Sequence, residues 1–189
     1  MHISVPWKAW FGDESFELSL PDTWQVDQFR MKSEPLPSEE IHSRISNPLE
    51  SSGLEEAARG KKRIAIAVDD IARPTPVHEF LPLIINELAA AGVPEENVSV
   101  FIAAGAHRTP VRGDVAKKIG ESLAARLKIV YHNPYDNLTD LGSTSNGVPI
   151  TINTTFLESD FRISIGGITP HDFAGFGGGY KTVTVGLSG

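Results

Sequence analysis

The sequence predicts an α/β domain: a mostly parallel sheet with helices on both faces, preceded by a small N-terminal β-containing segment. Three observations predict it. Short apolar, β-branched runs alternate with helix-period segments through the middle of the chain. At 189 residues and 40% hydrophobic content, the chain can bury a genuine core. The chemically versatile residues fall just after the apolar runs, at the carboxyl ends of the predicted strands, where open α/β sheets bind their ligands.

The elements follow in order. Residues 14–20, ESFELSL, alternate polar and apolar and stop at Pro21, which predicts a half-buried strand in a small opening hairpin or sheet. From Leu36 to Arg59 the chain is polar and helix-prone, and Pro48 and Gly53 divide it into two short helical pieces with a structural or lid role. Arg63 to Val68, RIAIAV, reads as a buried strand. Val77 to Ala91 reads as a helix closed by Gly92. Val98 to Ala103 is the next strand, Val111 to Leu127 the next helix, and Lys128 to Tyr131 a third strand. Pro149 to Asn153 and Phe161 to Ile165 are two more strands, before a glycine-rich stretch from Gly166 to Gly179.

Composition narrows the function. The net charge is −7, and no run of Lys or Arg marks a nucleic-acid surface. Without cysteine there is no disulfide framework, thiolate metal site or cysteine nucleophile. The N-terminus lacks the pattern of a signal peptide, and no apolar stretch is long enough to span a bilayer, so a soluble cytoplasmic protein is expected.

Asp69, Asp70 and Arg73 follow the first strand of the sheet, His107 and Arg108 the second, His132 the third and His171 the last, so one pocket could gather them. In VDDIARPTP, Arg73 could form a guanidinium fork for a carboxylate or phosphate, steadied by Asp70. Equally, either aspartate could cap the following helix, with Arg73 in a surface ion pair. In AAGAHRTP, His107 suits a general base or metal ligand, with Thr109 as a helix N-cap, or it is a turn histidine. His132 in YHNPYD either lines the crevice or is structural; His2, His42 and His78 are set aside.

GGITPHDFAGFGGGYKT holds six glycines in seventeen residues. Such a loop suits backbone that approaches a ligand closely or takes positive φ, and its Ile, Phe, Tyr and His residues argue against a plain flexible linker. GFGGGYKT matches a Walker A loop at Gly175, Lys181 and Thr182, but Tyr180 stands where that loop needs glycine. VTVGLSG then lacks a clear start for the long helix a P-loop requires. The histidines have no H-x-x-x-H or similar spacing, so a histidine-only metal site is disfavoured.

In this order and at these separations, DDIARPTP, GAHRTP, YHNPYD and GGITPHDFAGFGGGYK resemble the nickel-pincer lactate racemase family from about Arg63 onward. The resemblance implies that Lys181 covalently carries the nickel-pincer nucleotide, a pyridinium mononucleotide holding one nickel through two sulfurs and a ring carbon. It implies that His107 and His171 are acid/base residues on opposite faces of a small 2-hydroxy acid. Arg73 becomes the partner of an anionic oxygen, Asp70 a cofactor contact or an orienting group, and Gly177, Gly178 and Gly179 the close backbone contacts of the cofactor. Hydride leaves the carbinol carbon for the cofactor and returns to either face, while the histidines handle the hydroxyl proton. Cofactor-synthesis proteins are the implied partners.

Residues 1–189 would then be the N-terminal cofactor-binding domain, incomplete and inactive alone, with the family's nickel-ligating histidine and C-terminal domain expected beyond Gly189. Ala72 stands where lactate racemases themselves are expected to carry a hydroxyl, which separates the class of acid from lactate in particular. Two other readings remain: a cofactor-free nucleotide- or sugar-phosphate-binding module using residues 166–179, and a carrier or processing partner of the cofactor.

Overall fold

The computed structural model describes residues 1–7, 14–29 and 34–189. Its centre is a four-stranded, all-parallel sheet in the order β5-β4-β3-β8, formed by β3 (Ile64–Asp69), β4 (Val98–Ala103), β5 (Lys128–Tyr131) and β8 (Phe161–Ile165). Parallel strands buried on both faces need apolar residues at successive positions rather than alternate ones. IAIAVD and VSVFIA have that character, and every residue of β3 is buried.

Ile64, Ile66, Val68, Val98, Val100 and Ile102 face a core completed by α3 (Val77–Ala90), α4 (Arg112–Ile119) and α5 (Glu121–Arg126). α1 (Ser38–Ser46) and α2 (Leu54–Ala58) back onto α3: Ala58 joins the same core, and Ser46 Oγ donates to Glu87 Oε1 at 2.7 Å. These are the two short helical pieces expected between Leu36 and Arg59, and the packing makes them structural. On the opposite sheet face, Ala65, Ala67, Phe101 and Ala103 meet Ile152, Phe156 and Leu187 from β7 (Pro149–Asn153), α6 (Thr154–Leu157) and the segment after α7 (Lys181–Thr184). The parallel sheet with helices on both faces is therefore present.

Several local expectations change. β1 (His2–Trp7) and β2 (Glu14–Ser19) form the opening hairpin, but Phe16 and Leu18 are exposed, so the strand is not half-buried. The ribbon packs its apolar face mainly on itself, with Trp7 and Phe16 ring centroids 5.5 Å apart. The helix expected over 111–127 is two helices meeting at Gly120, whose φ of +90° cannot continue a helix. Thr109 is not its N-cap; Val111 holds that position. β6 (Leu138–Ser143), pairing antiparallel with β7, and the tiny hairpin of β9 (Pro170–His171) and β10 (Gly175–Phe176) were not anticipated. Among the described residues no helix is long and apolar enough to cross a membrane.

Candidate functional site

The carboxyl ends of β3, β4 and β8 open onto one cleft of about 400 Å³. Its walls include Asp70, Arg73, His107, His171, Gly177, Gly178 and Lys181. Arg108, His132 and Gly179 stand outside this lining. His132 is a buried structural residue: its Nε2 lies 2.9 Å from the Ser188 carbonyl, which takes its N–H, and burial lowers its pKa from the ordinary imidazole value.

His107 reaches the cleft on the turn after β4. His107 N–H donates to Ala104 O, and Gly105 N–H donates to Gly186 O, both at 2.9 Å. Gly105 has φ of +53°, and a Cβ there would stand 2.9 Å from Val185 O, so a side chain would force the turn away from the segment after α7. His107 Nδ1 lies 2.7 Å from Asp70 Oδ2. An ionised carboxylate only accepts, so the pair fixes the proton on Nδ1 and leaves Nε2 with the lone pair. The Asp70 carboxylate thus holds His107 rather than the Arg73 guanidinium, although Asp70 O accepts from Arg73 N–H at 2.9 Å, and the first turn of α3 is capped by neither Asp69 nor Asp70.

His171 is held differently. Pro170–His171 pairs with Gly175–Phe176, so the glycine-rich stretch is a closed hairpin rather than an open loop. Its Nδ1 faces the N–H groups of Phe173 and Ala174 at 3.2 and 3.3 Å and Asp172 Oδ1 at 3.1 Å. Backbone N–H groups can only donate, whereas the Asp172 carboxylate is 78% exposed and has water as an alternative. The two backbone donors therefore decide the neutral tautomer: Nδ1 accepts and Nε2 carries the hydrogen. The two cleft histidines thus hold opposite neutral tautomers, His107 with an unprotonated Nε2 and His171 with Nε2–H.

Neither Lys181 nor Arg73 is committed elsewhere: among the described residues, their charged ends take part in no ion pair or side-chain hydrogen bond. Thr182, also in the lining, is buried, and its Oγ1 has no hydrogen-bond partner among the described residues. Gly178 has φ of +73°, and a Cβ there would lie 2.5 Å from Gly167 O. The cleft floor is thus bare backbone beside an unsatisfied hydroxyl and a lysine. Lys181 begins a helix of only four residues, unlike the long helix that follows a P-loop.

Asp69, named with the strand-end candidates, also lines the cleft, and it anchors a layer whose other members, Thr75 and Lys118, sequence reasoning missed. Asp69 Oδ2 accepts from Thr75 Oγ1 at 2.5 Å, and Asp69 Oδ1 forms an ion pair with Lys118 Nζ at 2.7 Å. The signal for Lys118 was its phase: it lies on the same helical face as the buried Val115 and Ile119.

An open parallel sheet covered on both faces, with this cleft at its carboxyl edge, defines a doubly covered α/β domain. The sequence pattern of the lactate racemase N-terminal domain matches residues 11–189, and the chain belongs to that family. It is 34% identical over 152 residues to a lactate racemase of Lactiplantibacillus plantarum, covering 79% of this chain and 36% of that protein. It is 31% identical over 194 residues to a lactate racemase of Thermoanaerobacterium thermosaccharolyticum, covering 99% of this chain and 44% of that one. The chain thus spans less than half the length of these relatives. The solved lactate racemase apoprotein from Thermoanaerobacterium thermosaccharolyticum superposes with a TM-score of 0.75 at 30% identity, over 99% of this chain and 44% of that one. A Thermotoga maritima protein shares the fold, with a TM-score of 0.68 at 24% identity over 84% of this chain and 40% of its own.

Proposed function

We propose that this chain is the cofactor-carrying N-terminal domain of a racemase or epimerase of a small 2-hydroxy acid, using a nickel-pincer nucleotide bound covalently at Lys181. The observation that carries the reading is that one cleft is lined by His107 and His171, held in opposite tautomers, together with uncommitted Lys181 and Arg73. Inversion needs a base on one side of the substrate and an acid on the other, and a simple dehydrogenase needs only one such group. Family membership supports the racemase class.

The residues fit the proposed group. Lys181 supplies the amine for attachment, Thr182 Oγ1 an unsatisfied buried hydroxyl, and Gly177 and Gly178 a surface without side chains. When bound, the group accepts hydride from the carbinol carbon and returns it. Arg73 engages the substrate carboxylate through its guanidinium fork. His107 Nε2 takes the hydroxyl proton as the alcohol becomes a planar 2-keto acid, and Asp70 stabilises the imidazolium that results. If the keto acid turns over before reduction, His171, entering as an imidazolium with its Nδ1–H toward Asp172 Oδ1, gives its Nε2 proton to the new hydroxyl and is left neutral. The histidines then hold exchanged protonation states, ready for the opposite enantiomer. A C-terminal domain would close the cleft, and cofactor-synthesis proteins in the cytoplasm would load it.

Intact-protein mass spectrometry with metal analysis tests the proposal, on the natural full-length protein produced alongside the cofactor-synthesis enzymes. The expected result is a mass increase on the Lys181 peptide with stoichiometric nickel, both lost in Lys181→Ala. An unmodified Lys181 without nickel, under confirmed cofactor supply, would move the assignment to a nucleotide- or sugar-phosphate-binding module.

A further inference from the structure

Lys118 has no place in the chemistry above, yet its side chain is only 5% exposed. A lysine in that position gives up most of its hydration, and burial lowers its pKa although the Asp69 carboxylate opposes the shift. Its environment is specific. Nζ pairs with Asp69 Oδ1 at 2.7 Å and donates to Arg73 O at 2.8 Å. From Asp69 the connections continue: Thr75 Oγ1 donates to Asp69 Oδ2, and Gly167 N–H is shared between Thr75 Oγ1 at 2.8 Å and Asp69 Oδ2 at 3.3 Å. One ammonium therefore reaches the end of β3, the turn that carries Arg73, and the start of the glycine-rich hairpin that carries His171.

We propose that Lys118 is a positioning residue that locks the Arg73 turn and the opening of the glycine-rich hairpin together, so that Arg73 and His171 face the same cleft. Two paths diverge from it. The direct bond to Arg73 O fixes the turn after β3, which is otherwise closed by Arg73 N–H on Asp70 O at 2.9 Å. The indirect path through Asp69 and Thr75 fixes Gly167, where an added Cβ would stand only 2.7 Å from Thr75 Oγ1. Lys118 itself is absent from the cleft lining, so its effect is on the placement of other groups. Its consequence for substrate affinity rests on the function proposed above; its structural role does not.

Hydrogen exchange read by mass spectrometry separates the two paths. In Lys118→Met, amides in residues 70–77 and 166–178 should exchange at least about tenfold faster, while β4 keeps its protection. Thr75→Val should speed exchange in 166–178 but not in 70–74, and by less than Lys118→Met does, because Gly167 N–H keeps Asp69 Oδ2 and the Lys118 bond to Arg73 O remains. If the single lysine variant fails to fold, the Asp69→Asn and Lys118→Met pair removes both buried charges and should still speed exchange in both segments. Unchanged exchange in these segments, or an equal rise throughout the sheet, would overturn the proposal. In the loaded full-length enzyme, Lys118→Met should raise KM for the hydroxy acid about tenfold, the scale of one charge-assisted hydrogen bond, with a smaller loss in kcat. Local loosening without a KM change would keep Lys118 as the lock and count against Arg73 as the substrate anchor.

Discussion

Asp70 Oδ2 and His107 Nδ1 lie 2.7 Å apart, and the two side chains differ sharply in exposure, 8% for the aspartate and 61% for the histidine. The imidazole is therefore anchored at one nitrogen by a buried acceptor and open to the cleft at the other. Asp70→Asn removes the acceptor's charge and lets an amide N–H face Nδ1, which would move the imidazole proton to Nε2. Racemisation by the loaded full-length enzyme should fall about 100-fold, in the range for a positioned acid/base group, with Lys181 loading intact. Because the two enantiomers have equal free energy, kcat/KM must fall by the same factor in both directions. Initial rates from each enantiomer check this, and an unchanged rate would remove Asp70 from the proposed role.

His107→Ala and His171→Ala should each leave the mass increase at Lys181 in place and stop racemisation. The mass of the Lys181 peptide and optical rotation of the product read the two effects separately. If both single variants still racemise, the two-base mechanism is wrong.

Gly178 and Gly179 both have positive φ, +73° and +53°, but only Gly178 has a neighbour where a Cβ would go, Gly167 O at 2.5 Å. Gly179→Ala should lose roughly 1–2 kcal/mol, the conformational term alone. Gly178→Ala must also push the hairpin away from Gly167 and should lose more, together with cofactor loading. Urea midpoints and the Lys181 peptide mass distinguish the two; equal losses would mean that close approach is not what the position requires.

The parts legible in the sequence are those whose physics is local. β3 and β4 are nearly unbroken apolar runs because both faces are buried, and α3 repeats its apolar residues at helical spacing before Gly92. His107, His171 and Arg73 stood out as candidates from their motifs and strand-end positions and Lys181 from the glycine-rich stretch it follows, and one cleft is lined by all four. β6 was not, because LTDLGS lies at the surface and owes its strand to pairing with β7 rather than to an apolar pattern. The hairpin around His171 has strands of two residues, too short for any periodicity. Lys118 has the helical phase of a buried residue but the charge of a solvated one, and the partners that resolve the conflict are 45 and 49 positions away in the chain. His132 sits after its strand like the other candidates, yet the Ser188 carbonyl holds it in the core.

Phe101 on β4 is fully buried and meets Phe156 edge-to-face, with ring centroids 5.4 Å apart and planes at 81°. This contact joins the central sheet to α6 on the face opposite α3. Phe101→Ala should lose about 3–5 kcal/mol, from lost burial plus the cavity left behind. Chemical denaturation checks the size of the loss, and a loss below about 1 kcal/mol would mean that this face of the sheet contributes little to the fold.

His132 sets a pH dependence of stability apart from any chemistry in the cleft. Its Nδ1 is buried without a hydrogen-bond partner among the described residues, while its Nε2–H is taken by Ser188 O. Protonation would place a charge in that environment, so burial holds the folded-state pKa below the ordinary value of 6.5. As pH falls through that ordinary value the unfolded chain takes up a proton and the folded chain does not. The unfolded state then binds more protons, and the stability this residue contributes above pH 6.5 is progressively lost. Below the depressed folded pKa both states are protonated and the loss levels off. His132→Gln keeps an N–H for Ser188 O but cannot titrate. Tm measured from about pH 7.5 to about pH 5.5 should therefore fall more steeply for the unsubstituted protein than for this variant. Parallel curves would mean that the His132 site admits the proton as readily as water does.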